Sequence, residues 1–117
     1  MASVADTVNR YAELLASGSA DEITALYTPD ATVEDPVGSG VRRGHDEIRE
    51  LYRRVETQTR SVELLSVHIN GDEAAFLARL TVIAGDTHTR IDGIDVMTFD
   101  DAARITSMRA FWSVPAG

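Results

Sequence analysis

The hydrophobic period of this chain changes once, near residue 60, and that change restricts the fold more than any other feature. Before it, Val4, Val8, Tyr11, Ala12 and Leu15 recur at helical spacing, on a stripe that Ser3 can cap and Gly18 can end. In "SADE", Ser19 and Glu22 have the spacing of a capping box, which predicts a short helix through Ile23 and Leu26 to about Tyr27. Ile48, Leu51, Tyr52 and Val55 predict a third helix over about 46–54. Between these, "TPDATVEDPVGSGVRRG" reads as loop with one short extended piece over 31–34.

After the change the period is two. Segments 62–69 and 73–83 flank "NGD", "AGDT" leads into 88–99, and "DDAA" leads into 104–114. Four long antiparallel strands behind three helices make an α+β pattern, with the helices closing one face of a curved sheet. At 117 residues the chain predicts one domain over 1–117, with no repeat and no linker.

Strand phase singles out one residue. Ile91, Gly93, Asp95, Met97 and Phe99 share a face; so do Phe76, Ala78, Leu80 and Val82, and so do Met108, Ala110 and Trp112. If these faces look at the helices, they wall an apolar cavity in which Asp95 is one of few polar groups. One reading makes Asp95 a structural carboxylate satisfied by arginine or backbone donors. The other starts from desolvation: a carboxyl removed from water retains its proton and becomes a hydrogen-bond donor, suited to an oxygen on which negative charge develops.

Tyr11 is either a second donor or a core aromatic, and Tyr27 and Tyr52 lie on predicted helical stripes from which phenols could form a hydrogen-bonded chain. Asp35 in "VEDPVG" is either turn punctuation or an ionised base leaning over the cavity mouth beside Val37.

Other chemistries find little support. Net charge is −8 with no clustered basic face, so nucleic acid is not an expected partner. There is no cysteine, which removes disulfide, thiol and thiolate-metal chemistry and fits a cytoplasmic protein. No apolar run is long enough to span a membrane. "GSGVRRG" misses the dinucleotide fingerprint and follows no parallel strand. His45, His68 and His88 lack metal-ligand spacing, and no Ser–His elbow occurs. Neither metal nor cofactor is expected.

"RYAELLASGSADEITALYTPDATVEDPVG", the helix around "LYRR" and "IDVMTFDDAARITSMRAFWS" together resemble ketosteroid isomerase, or steroid Δ-isomerase, of the NTF2-like superfamily. The likeness runs over nearly the whole chain and implies a cone-shaped α+β fold, three N-terminal helices packed on a curved antiparallel sheet. It implies conversion of 3-oxo-Δ5-steroids to conjugated Δ4 isomers by proton transfer from C4 to C6, without a cofactor. Residue by residue, it implies Asp35 as base and Tyr11 with Asp95 as donors to the substrate oxygen. A carboxylic acid kept neutral at working pH is the known hallmark of this family, so that role is implied by the likeness and not deduced from the residues. Tyr27 and Tyr52 fall where supporting phenols occur, and Phe76, Met108, Ala110 and Trp112 fall on pocket-lining positions. Gly93 departs from the pattern, since a larger apolar residue is expected there, and Arg42 and Arg43 fall near the entrance.

Family members are usually homodimers through the outer sheet face, and Leu65, Val67 and Ile69 would suit such a contact or simple core packing. Two other functions stay open. Epoxide hydrolases and polyketide cyclases of the same superfamily also use carboxylates in this cone; the hydrolase would need an Asp-Arg-Asp cluster inside the cavity, and Arg79 and Arg109 have the wrong strand phase. A non-catalytic module binding steroids or other small ligands needs only the cavity.

Overall fold

Caps decide where the first two helices begin. In the structure, a computed structural model describing residues 2–113, α1 (Val4–Ser17) opens with reciprocal bonds. The Asp6 amide donates to Ser3 Oγ at 3.1 Å and the Ser3 amide to Asp6 Oδ2 at 3.0 Å. It closes where the Gly18 amide donates to the Leu14 carbonyl at 2.6 Å. A Cβ at residue 18 would stand 2.7 Å from the Leu14 side chain, so the close approach requires glycine. Ser19 and Glu22 form the second box, opening α2 (Ala20–Thr24), and α3 (Gly44–Glu56) begins directly after extended Arg43, its N-cap.

The expected continuation of α2 to Tyr27 does not occur. Tyr27 opens a strand, β1 (Tyr27–Glu34), which also absorbs the short extended piece expected over 31–34. The cause is tertiary: the Ile105 amide donates to the Leu26 carbonyl at 2.9 Å and Tyr27 pairs with Ile105, so a distant strand takes the groups another helical turn would use. Pro29 cannot donate to a ladder, and the pairing register slips between Tyr27 and Thr32 around it.

The remaining strands are β2 (Arg42–Arg43), β3 (Thr59–Asn70), β4 (Glu73–Ala84), β5 (Thr87–Phe99) and β6 (Ile105–Phe111). They form one open, curved sheet in the order β2-β1-β6-β5-β4-β3. The sheet is antiparallel except for β1 beside β6, which run parallel because β1 enters from the helical half alongside the last strand. The last strand ends at Phe111; Val114, within the expected 104–114 strand, lies outside the described residues.

Register converts the strand phases into rows. Phe76, Asp95 and Ala110 lie abreast on β4, β5 and β6; Ala78 and Gly93 form the next row and Leu80 and Ile91 the one after. Toward the other end of the sheet, Met97 stands beside Met108. Val8, Tyr11, Ile23, Ile48, Tyr52, Phe76, Met97, Ile105 and Met108 are fully buried in one core between sheet and helices. Burying each large apolar side chain stabilises the fold by about 1.5–3 kcal/mol. No helix among the described residues is long and apolar enough to cross a membrane.

Leu65, Val67 and Ile69 are partly exposed, so they are not core. They do not form one outer stripe either. The β3–β4 register slips between Leu64 and Ser66, and Val67 and Ile69 then stand opposite Phe76 and Ala74, in the phase of the concave face. The exposed apolar residues of the convex face are Ile94 and Phe111, which pair with each other across β5 and β6.

Candidate active site

Between α1, α3 and the concave face lies a cavity of about 260 Å³. Its apolar walls are Leu15, Leu51, Val55, Ala78, Leu80, Val82, Ile91, Gly93 and Trp112, and its polar groups are Tyr11, Asp35, Tyr52, Gln58 and Asp95. Helix spacing explains the first wall, since Leu15 follows Tyr11 by four residues and Val55 follows Tyr52 by three. Strand alternation explains the second. Larger concavities elsewhere, of about 440 to 670 Å³, are open surface depressions lined mostly by exposed and half-buried residues.

Asp95 sits on β5 between Phe76 and Ala110, with its side chain opening onto the cavity. Burial, and secondarily the negative charge of Asp35, raise its pKa from 3.8 to about 7. Among the described residues no arginine or backbone donor bonds it, as a structural carboxylate would require. A group so placed donates a hydrogen bond while protonated, and its capacity is left to whatever enters the cavity.

Tyr11, Tyr52 and Tyr27 meet through their hydroxyls, at 3.0 Å between Tyr11 and Tyr52 and 2.7 Å between Tyr27 and Tyr52. Tyr27 joins from β1, not from a helix. Burial pushes all three phenols well above the ordinary tyrosine range, so they stay protonated. Among the described residues Tyr27 has Tyr52 as its only hydroxyl partner, so one sense of the chain leaves no buried proton unspent. Tyr27 donates to Tyr52, Tyr52 to Tyr11, and Tyr11 into the cavity. Each link polarises the next.

Asp35 follows β1, at a cis peptide to Pro36, and the segment is tied down by the Val37 amide donating to the Ala110 carbonyl at 2.8 Å. The indole Nε1 of Trp112 donates to Asp35 Oδ1 at 2.5 Å. Burial raises the Asp35 pKa, while the Trp112 bond and the charge of Arg42 pull it back. Arg42 therefore acts on the site electrostatically, as its expected place near the entrance suggested; Arg43 is exposed and bonds Glu47 through its amide.

The structure thus brings Tyr11, Asp35, Asp95, Tyr52 and Trp112 onto one cavity. The likeness to ketosteroid isomerase also implied Phe76, Met108 and Ala110 as lining and Tyr27 as a supporting phenol; all four are fully buried behind the wall. Phe76 is covered by the ring of Tyr11, edge-on with centroids 6.1 Å apart, and Met108 lies beyond the Asp95 row beside Met97 and Val33. Gln58 was not singled out from sequence, because it follows α3 with no periodic pattern to place it.

No arginine lines this cavity among the described residues: Arg79 pairs with Asp92 at 2.8 Å and Arg109 lies 3.9 Å from Glu34. Nor do the described residues contain a cluster of His, Cys, Asp or Glu able to hold a metal.

Fold and site define a small α+β cone whose hollow pairs phenols with carboxyls. The chain belongs to the SnoaL-like domain family, of the NTF2-like type, whose model matches residues 8–108. It is 48% identical over 112 residues to a steroid Delta-isomerase from Nocardioides simplex, covering 96% of this chain and 91% of that protein. It also resembles the solved structure of SalBIII, an epoxide hydrolase/cyclase-like enzyme of pyran ring formation in the polyether salinomycin. The TM-score is 0.83 and the identity 28%, over 94% of this chain and 90% of that one.

Proposed function

We propose that this protein is a steroid Δ-isomerase, moving the double bond of a 3-oxo-Δ5-steroid into conjugation. Asp35 takes a proton from C4, and the electrons pass into the carbonyl oxygen. That oxygen, now a dienolate, accepts hydrogen bonds from Tyr11 and protonated Asp95. Asp35, now neutral, returns the proton at C6; both carbons lie on one edge of the steroid, so one carboxylate reaches both by a small swing. No cofactor takes part, because the electron pair is stored on the substrate's own oxygen.

One observation carries this reading. Two acids open on a single apolar cavity in opposite settings, Asp95 without a partner and Asp35 held by an indole N–H near a guanidinium. The first setting suits a proton donor and the second a base. Tyr52 and Tyr27 strengthen Tyr11 as a donor; Trp112 touches the base; Phe76, Met108 and Ala110 shape the cavity from behind. Among the described residues no arginine lines the cavity, and the hydrolase alternative would need one beside the carboxylates.

The test is ultraviolet absorbance of the conjugated enone formed from a Δ5-3-ketosteroid, run beside Asp35→Asn. Near-normal turnover in that variant would refute the base assignment. Tight binding of a phenolic steroid with no enone formed would instead favour a binding module.

The same proposal includes a cytoplasmic homodimer. Ile94 and Phe111, with half-buried Ala75, Leu77 and Val96 of the convex face, give the contact its apolar centre. Sedimentation of Ile94→Asp should show monomer where the parent shows dimer.

A further inference from the structure

Gly93 occupies the middle of β5, where glycine weakens a strand and needs a reason to be present. Conformation is not the reason, since its φ lies outside the left-handed region that favours glycine. Space is. A Cβ built at residue 93 would stand 3.3 Å from Trp112 Cβ, 3.6 Å from the Phe111 carbonyl oxygen and 3.7 Å from Trp112 Cδ1. The β5–β6 ladder pairs Asp95 with Ala110 and Ile94 with Phe111, so Trp112, just past the end of β6, falls in the place opposite Gly93. On the other flank the partner of Gly93 is Ala78, also small.

From this packing we infer that Gly93 is a positioning residue: its missing side chain leaves the seat in which the Trp112 indole lies with its N–H on Asp35. The inference deepens the proposed isomerase reading, in which Asp35 is the base. It competes with a simpler view, that Gly93 widens the cavity for a ligand. The nearest atoms decide between them, because a Cβ would press first on the root of Trp112.

The consequence is electrostatic. Asp35 faces Arg42 from β2, Asp95 from β5, Tyr11 from α1, Tyr52 from α3 and Tyr27 from β1, with Trp112 as its side-chain donor among the described residues. Burial drives Asp35 toward its proton and the indole N–H opposes that. Displacing the indole removes the opposition and frees the carboxyl to wander.

Trp112 is the chain's single tryptophan, so its emission reports the seat without any substrate. In the ligand-free parent, emission should titrate with Asp35, and Asp35→Asn should abolish that transition while Asp95→Asn keeps it. In Gly93→Val the emission should shift to the red and lose the transition, with Gly93→Ala intermediate. In turnover, Gly93→Val and Trp112→Phe should each move the acid limb of kcat/KM upward by about one pH unit, and the double variant should move it no further.

A raised KM with emission and acid limb unchanged in Gly93→Val would overturn the inference, and so would a shift of equal size added on top of Trp112→Phe. Should Gly93→Val not fold, as read by circular dichroism, the same criteria apply to Gly93→Ala. A chain with no isomerase activity would end the functional reading, and the emission titration would still decide the seat.

Discussion

Asp35 and Asp95 are the same side chain in the same cavity, and the contrast between their surroundings is what supports the different roles proposed for them. Asp95 projects from the centre of a strand, flanked by Phe76 and Ala110, with no group among the described residues to stabilise its charge. Asp35 projects from a loop end, where an indole N–H and the field of Arg42 partly offset the same desolvation. Residue type alone does not make an acid or a base. What a carboxyl does is set by the donors within reach: among the described residues Asp95 has none, and Asp35 has the Trp112 indole N–H just past β6.

The strongest challenge to that contrast is to remove the proposed base. Assayed below about pH 7, where Asp95 stays protonated, Asp35→Asn should lower turnover by about 10³–10⁴-fold, since it leaves the cavity no ionised acceptor. Next comes the proposed donor. Asp95→Ala should cost about 10²–10³-fold in turnover, whereas Asp95→Asn, still able to donate, should lose less and should also lose the fall in kcat/KM expected above about pH 7. Tyr52→Phe, which cuts the phenol chain while leaving Tyr11 in place, should cost about five- to tenfold. Arg42→Ala should have the smallest effect on activity, moving the acid limb upward by a few tenths of a pH unit and by less in high salt.

The contrast also governs stability. Because the Asp95 pKa is raised in the folded chain from 3.8 to about 7, the folded state binds that proton more tightly than the unfolded one. Its contribution is full below the unfolded value and is lost as pH rises through about 7. Asp95→Asn has no charge to desolvate. It should raise the urea midpoint at pH 8, since each tenfold difference in proton affinity between folded and unfolded chain corresponds to about 1.4 kcal/mol, and the gap should narrow toward pH 4.

Much of this was legible in the residues because period and phase are local. Alternation alone put Asp95, Gly93 and Ile91 on one face, and the "NGD" turn fixed the β3–β4 pairing around Gly71, whose φ is +62°. The capping boxes at Ser3 and Ser19 located the helix starts. Partners distant in sequence were not legible. Tyr27 reads as helix until Ile105 claims its backbone, and no local pattern shows β1 lying parallel to β6. The bulge at Leu65, which reverses the phase of Val67 and Ile69, has no turn residue to announce it. That Trp112 leaves its ladder to reach Asp35 depends on an empty place at Gly93, a fact about two strands at once.

β1 moors the tail of the phenol chain at Tyr27 and, just past its other end, leads into Asp35. Between the Tyr27–Ile105 and Thr32–Ser107 pairs, five steps of β1 run against two of β6, and the surplus bows outward at exposed Pro29 and Asp30. Such slack uncouples the two moorings. A residue gained or lost in the bow can be taken up in the water without hauling on either anchor, so the span that looks least regular shields the site from changes in chain length.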